Sequence, residues 1–197
     1  MVNMIKVKHK SNLNALKKSI ELLGKSRVYV GIPAENASRD NGNDINNAEL
    51  LYIQTHGVRK KSMREEMQLA LNEGKAYSKA YEMYIKSHGS PLWHVPPRPV
   101  IEPAINYNKK EIAKRLITAY GKAMENIYAG DSMQTAMQHL EVVGMYAQNI
   151  VRAWFTNPNN GWEPNSPLTV SKKGSSNPLI DTGEMRKSIT YVVKSDE

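Results

Sequence analysis

Along the chain, the alternation of apolar and polar positions opens with Ile5 and Val7 set among Lys6 and Lys8, the period of a short strand. Leu13, Leu16, Ile20 and Leu23 then follow helical spacing until Gly24, which predicts a helix stopped by glycine. Arg27 to Ile32 is an apolar run with β-branched and aromatic members that Pro33 ends, so a second strand is expected there. Ala34 to Asp44 is rich in Asn, Ser and Asp and reads as a mobile loop. Asn46 or Asn47 can cap the next helix, in which Leu50, Leu51 and Ile53 supply apolar surface and Gly57 the stop.

The segment Val58 to His88 has another character, with seven Lys or Arg and four Glu around Met67, Leu69 and Leu71. It reads as a charged insertion of one or two helices, so that residues 1–57 and 89–197 form a single α+β core and 58–88 project from it. Tyr77, Tyr81 and Tyr84 recur at steps of four and three, which places them on one helical face. Two readings of that face are open: packing on the body of the same protein, or a surface for a partner subunit or for stacking on nucleic-acid bases.

Pro96, Pro97 and Pro99 make an extended, rigid lead-in, and Pro103 suits the first turn of a following helix. From Ala104 to about Ala129 the pattern is helical, with Ile105, Ile112, Leu116, Ala119 and Ala123 on the inward side. Gly130 interrupts it, and Asp131 or Ser132 restarts a helix striped by Leu140, Val143, Ala147, Ile150 and Trp154, the spacing expected where a helix covers a sheet. Asn157 to Pro167 predicts a long loop and Leu168 to Val170 a short strand, with a loop tip at Lys172 to Asn177. The last block, Asn177 to Val193, reads NPLIDTGEMRKSITYVV. There Asp181 and Glu184 have the three-residue spacing of a capping box, Met185 and Ile189 share one side of a helical turn, and Ile189, Tyr191 and Val193 alternate as in a strand. These elements predict an α+β fold: a small antiparallel or mixed sheet, built from early and C-terminal strands, covered by two long helices.

Charge adds a local feature. Residues 1–27 hold seven Lys or Arg and one acid, a net +6, which leaves +2 of the total +8 for the other 170 residues. Lys6, Lys8, Lys10, Lys17 and Lys18 therefore form a basic patch suited to a DNA backbone or an acidic protein partner, or to solubility alone. The chain has no cysteine, which excludes disulfides, thiolate metal sites and thiol nucleophiles and fits a reducing compartment. Neither a signal-peptide core nor an apolar run of membrane-spanning length is present, so synthesis and assembly in a cytoplasm are expected.

Catalytic readings find little to stand on. Leu179, Ile180, Asp181, Thr182 and Gly183 have the form in which an aspartic protease presents its carboxylate, but only 16 residues follow Asp181, too few for the strands such a barrel needs after that turn. The five histidines fall at His9, His56, His88, His94 and His139, none in a metal-ligand spacing, and His56 suits the cation-favouring end of its helix. No phosphate-cradling loop or serine-nucleophile motif occurs. No enzyme and no cofactor is expected. Of the three tryptophans, Trp93, Trp154 and Trp162, the last reads either as an exposed anchor of a subunit contact or as a lid over Trp154.

The C-terminal block resembles the signature of tail-completion and neck proteins of tailed bacteriophages, the HK97 gp10-like and Mu virion-morphogenesis group. The strand Val28 to Pro33 (VYVGIP), the helix Asn47 to Gly57 (NAELLYIQTHG) and the Pro-rich Val95 to Ala104 (VPPRPVIEPA) fit the same resemblance in the same order. The resemblance implies a structural virion subunit, present in the host cytoplasm during assembly and in the virion neck or tail afterwards. It also implies a homo-oligomeric, hexameric ring that caps the tail and joins it to the DNA-filled head, between head-connector and tail-tube proteins. On this view Trp162 and the Tyr77, Tyr81 and Tyr84 face belong to subunit interfaces. The alternative is a sequence-independent DNA-binding protein that uses the basic N-terminus and the tyrosine-rich helix.

Overall fold

The computed structural model describes residues 12–39, 45–57, 61–88 and 95–195. The elements in chain order are α1 (Asn12–Gly24), β1 (Ser26–Gly31), α2 (Asn47–His56), α3 (Lys61–Asn72), α4 (Tyr77–His88), α5 (Ile101–Tyr107), α6 (Lys109–Ala129), α7 (Met133–Trp154), α8 (Pro167–Lys173), α9 (Glu184–Ser188) and β2 (Thr190–Ser195). The fold is α+β, mostly helical, with one small antiparallel sheet. The strand expected at Ile5 and Val7, and Lys6, Lys8, Lys10, His9, Trp93 and His94, lie outside the described residues. So does part of the Ala34 to Asp44 loop.

The chain divides into two compact units. The first holds the residues up to Gly31, Ile105–Ile150 and the stretch from Thr190; the second holds Ile32–Ala104 and Val151–Ile189.

In the first unit β1 and β2 run antiparallel, with Val28 opposite Val193 and Val30 opposite Tyr191. The alternation read from the sequence is what lets one sheet face be apolar: Val28 and Val193 pack on a core of Leu23, Ala119, Ala123, Ile127, Ala136, Leu140 and Val143. Alanines at 119, 123 and 136 leave room for helices to approach closely, and each full burial of a residue such as Leu140 is worth roughly 1.5–3 kcal/mol. Ser26 enters this core because its polar groups are met: Oγ donates to Leu22 O at 2.9 Å, and its carbonyl accepts from the Tyr120 hydroxyl at 2.9 Å.

The two long helices have legible ends. Gly130, at φ 89°, lets its own N–H reach Ile127 O and the Asp131 N–H reach Asn126 O, the paired bonds of a Schellman stop for α6. Of the two candidates for the start of α7, Ser132 is the one that acts, accepting from Thr135 N at 3.2 Å. The helix expected from Ala104 begins earlier, at Ile101 with Pro103 in its first turn, and is broken at Asn108 into α5 and α6.

In the second unit Asn46 is the N-cap of α2 in a full capping box: Glu49 N donates to Asn46 Oδ1 at 2.9 Å and Asn46 N to Glu49 Oε2 at 3.0 Å. Asn47 is instead fully buried, and its Nδ2 donates to Ser38 O at 3.1 Å and Ser188 Oγ at 2.9 Å. Helices α3 and α4 form a hairpin around Met63, Met67, Ala70 and Ala80. The segment expected as a strand at Leu168 to Val170 is the middle of α8. Ser166 caps it by accepting from Thr169 N at 3.2 Å, Pro167 fills its first turn, and Gly174 ends it at φ 67°.

Candidate functional site

The side chains singled out in the sequence fall in both units. Lys17 and Lys18 are exposed on α1. Tyr77, Tyr81 and Tyr84 lie half-buried against the Met63 and Met67 hairpin core, with the Tyr77 and Tyr81 rings stacked at 6.3 Å. This orientation follows from their shared helical face, because α4 has to cover the methionines of α3 with some apolar stripe.

Trp162 is half-buried within the second unit. Its Nε1 donates to Pro99 O at 3.0 Å and its ring meets Phe155 edge-on at 6.0 Å. Beside it Arg98, 7% exposed, donates from Nε and Nη2 to Glu163 O at 3.1 and 2.9 Å. Burial pushes the Arg98 guanidinium below its ordinary pKa, partly offset by the Glu163 charge. Arg98 N ties the Pro96 to Val100 segment to Gln54 O at 2.7 Å.

Asp181 does not cap α9. The N-cap position is Gly183, at φ 77° and without a side chain to accept, and the Glu184 N–H goes to Thr182 Oγ1 at 3.3 Å. A left-handed residue at that point turns Asp181 away from the helix donors, and Asp181 is exposed. Glu184 is consequently the first residue of the helix rather than the return arm of a box. The C-terminal end of α9 is held from another helix, as Arg152 donates to Lys187 O at 2.7 Å and Ile189 O at 2.9 Å.

Two surfaces of the first unit were not legible as such in the sequence. One is the outer face of the sheet, where Arg27 lies directly opposite Lys194 and both are exposed, with Tyr29 (51% exposed) beside them. Like charges directly across a strand pair are destabilising unless an anion lies between them or water screens them. Finding this pair takes the β1 to β2 register, which neither strand reveals alone.

The other is a groove of about 240 Å3 between α6 and α7. Glu111, Lys114, Arg115, Thr118 and Lys122 line it from α6, and His139, Val142 and Val143 from α7. Arg115 is fixed by Glu111 at 2.9 Å and sits 4.0 Å over the Tyr146 ring, and His139 bonds Asn126 at 2.7 Å. Ile117, Val142 and Met145 are 74%, 60% and 52% exposed. A sequence signal existed: Val142 and Met145, three apart, fall off the inward stripe of α7.

Among the described residues no three His, Asp or Glu side chains group as a metal site would need. Among them, too, no helix is long and apolar enough to cross a membrane. Compared with protein-family models, with curated proteins and with solved structures, the chain matches none of them.

Proposed function

We propose that the protein is a structural virion subunit of a tailed bacteriophage, a neck or tail-completion protein that acts by docking without turnover. Copies of it form a ring, six around in the form the resemblance implies, that caps the tail and joins it to the DNA-filled head. The observation that carries the reading is the pairing of Val28 to Gly31 with Thr190 to Val193. Two segments that bear the resemblance, about 160 residues apart in the chain, are here neighbours in one sheet. Among the described residues each of these strands has a single partner strand, so each has a second edge that a neighbouring subunit or connector protein can extend.

The basic character of the same unit supports a place next to DNA or an acidic neighbouring ring. Lys17, Lys18, Arg27 and Lys194 are all exposed there, and an anionic partner relieves the repulsion between Arg27 and Lys194. The reading puts the chain in the assembled neck or tail.

The test is electron microscopy of a lysate from the phage with an early stop codon in this gene. Filled heads beside detached tails establish joining, and overlong tails establish termination. Normal infectious particles overturn the reading. In that case a salt-dependent gel shift on the purified protein tests sequence-independent DNA binding in its place.

A further inference from the structure

The groove between α6 and α7 has a counterpart elsewhere on the same chain. Lys114, Thr118 and Lys122 follow one another at steps of four along α6 and are all exposed, which puts the two lysines about 12 Å apart with a small residue between them. On α3, Glu65, Leu69 and Glu73 have the same spacing and are also exposed, Leu69 at 68%. Glu73 lies one residue beyond the helix but keeps its turn, since its N–H donates to Leu69 O at 3.1 Å. One surface therefore reads cation, small residue, cation over an exposed Val142, and the other reads acid, leucine, acid, with Glu73 also bonded to Lys75 of its own chain, a surface ion pair that a lysine of the neighbour has to share or displace.

We propose that the α6–α7 groove receives helix α3 of a second copy of this chain. Leu69 seats over Thr118 and Val142, and Glu65 and Glu73 face Lys114 and Lys122. Charge complementarity and matched spacing select this occupant. Burial of Leu69 supplies attraction, while the exposed ion pairs set register and partner choice. Donor and acceptor are different patches, so the contact is heterologous: every subunit offers one α3 and one groove, and the repeat closes into a ring when its rotation allows. The inference rests on the ring-subunit reading above and names the contact between neighbours.

A chain without cysteine makes the test clean. Leu69→Cys and Val142→Cys are prepared as separate full-length variants, mixed in equal amounts and treated with a short bismaleimide. The expected product is a dimer linked between residues 69 and 142, absent when either variant is treated alone. A dimer linked between two copies of residue 69 overturns the proposal, because it requires a symmetric contact.

The second arm reverses charges. K114E/K122E and E65K/E73K, each folded by circular dichroism, are expected to self-associate roughly tenfold or more weakly in sedimentation, and their equimolar mixture to regain assembly. Wild-type rings with no 69–142 product and unaffected charge variants overturn this contact and leave the ring reading standing. A wild type that neither associates nor cross-links overturns both. Normal particles from the stop-codon phage beside a positive cross-link overturn the neck assignment alone.

Discussion

Tyr191 occupies the space that a side chain at Gly144 would need. A Cβ on residue 144 would lie 2.2 Å from Tyr191 Cδ2 and 2.7 Å from its Cγ. The middle of α7 and the last strand are therefore in contact through a residue chosen for lacking a side chain. Atoms near the root of the ring cannot swing aside as the tip of a flexible side chain does, so relief requires the strand to move.

Gly144→Ala is expected to destabilise the protein although it improves helix propensity. The propensity gain is about 1 kcal/mol, and overpacking at such a contact costs about 1–3 kcal/mol, for a net loss of up to roughly 2 kcal/mol. Thermal unfolding checks it, at about 2–4 °C per kcal/mol for a chain of this size. In a Tyr191→Ala background the same change loses its penalty, and additive effects would show that the contact is not what constrains residue 144.

Asn46 and Asn47 are chemically identical neighbours with different work. Asn46→Ala removes an exposed cap, worth about 1 kcal/mol. Asn47→Ala strips the Ser38 carbonyl and the Ser188 hydroxyl of a buried partner and is expected to cost more, roughly 2–3 kcal/mol. Urea unfolding of the two variants decides it, and equal midpoints would refute the difference.

Gly57 and Gly130 both have positive φ, at 69° and 89°, but only the first is crowded. A Cβ at residue 57 would lie 2.5 Å from Val95 O and 2.8 Å from Pro97 N, both backbone atoms, whereas residue 130 has open space around it. Gly130→Ala should cost about 1–2 kcal/mol in strain alone. Gly57→Ala should cost roughly 3 kcal/mol or more and loosen the Pro-rich segment, which hydrogen exchange at the Arg98 amide would report.

A pH effect is expected at the turn of the α3–α4 hairpin. The hydrogen bond and charge of Lys75 hold the Glu73 carboxyl below its usual range. A carboxylate depressed on folding stabilises above its unfolded pKa, and the contribution is lost as pH falls through its lower, folded value. Carbon NMR of Glu73 should show a midpoint below that of an ordinary glutamate, returning upward in Lys75→Met. An unmoved midpoint in that variant would assign the shift elsewhere.

Several elements were readable directly because their causes are local. The helical spacing of Leu16, Ile20 and Leu23, the Asn46 to Glu49 box, the glycine stop at 130 and the inward stripe from Leu140 to Ala147 all depend on residues within a few positions of one another. The helix at Leu168 to Val170 had a local signal too, in Ser166 followed by Pro167, but its β-branched members point to a strand when taken alone.

What the sequence by itself determined, then, is roughly where α1, β1, α2, α7 and β2 begin and end, since capping, glycine conformation and side-chain periodicity act over one or two turns. Only the tertiary structure decided that β1 pairs with β2, that Asn47 bridges Ser38 and Ser188, that Arg27 faces Lys194, and that Gly183 leaves Asp181 outside the cap of α9. Each of these depends on bringing distant segments together, or on a backbone angle that several competing local patterns allow. The free energy that selects among them is the burial of apolar surface shared across the whole unit, which no short window of residues contains.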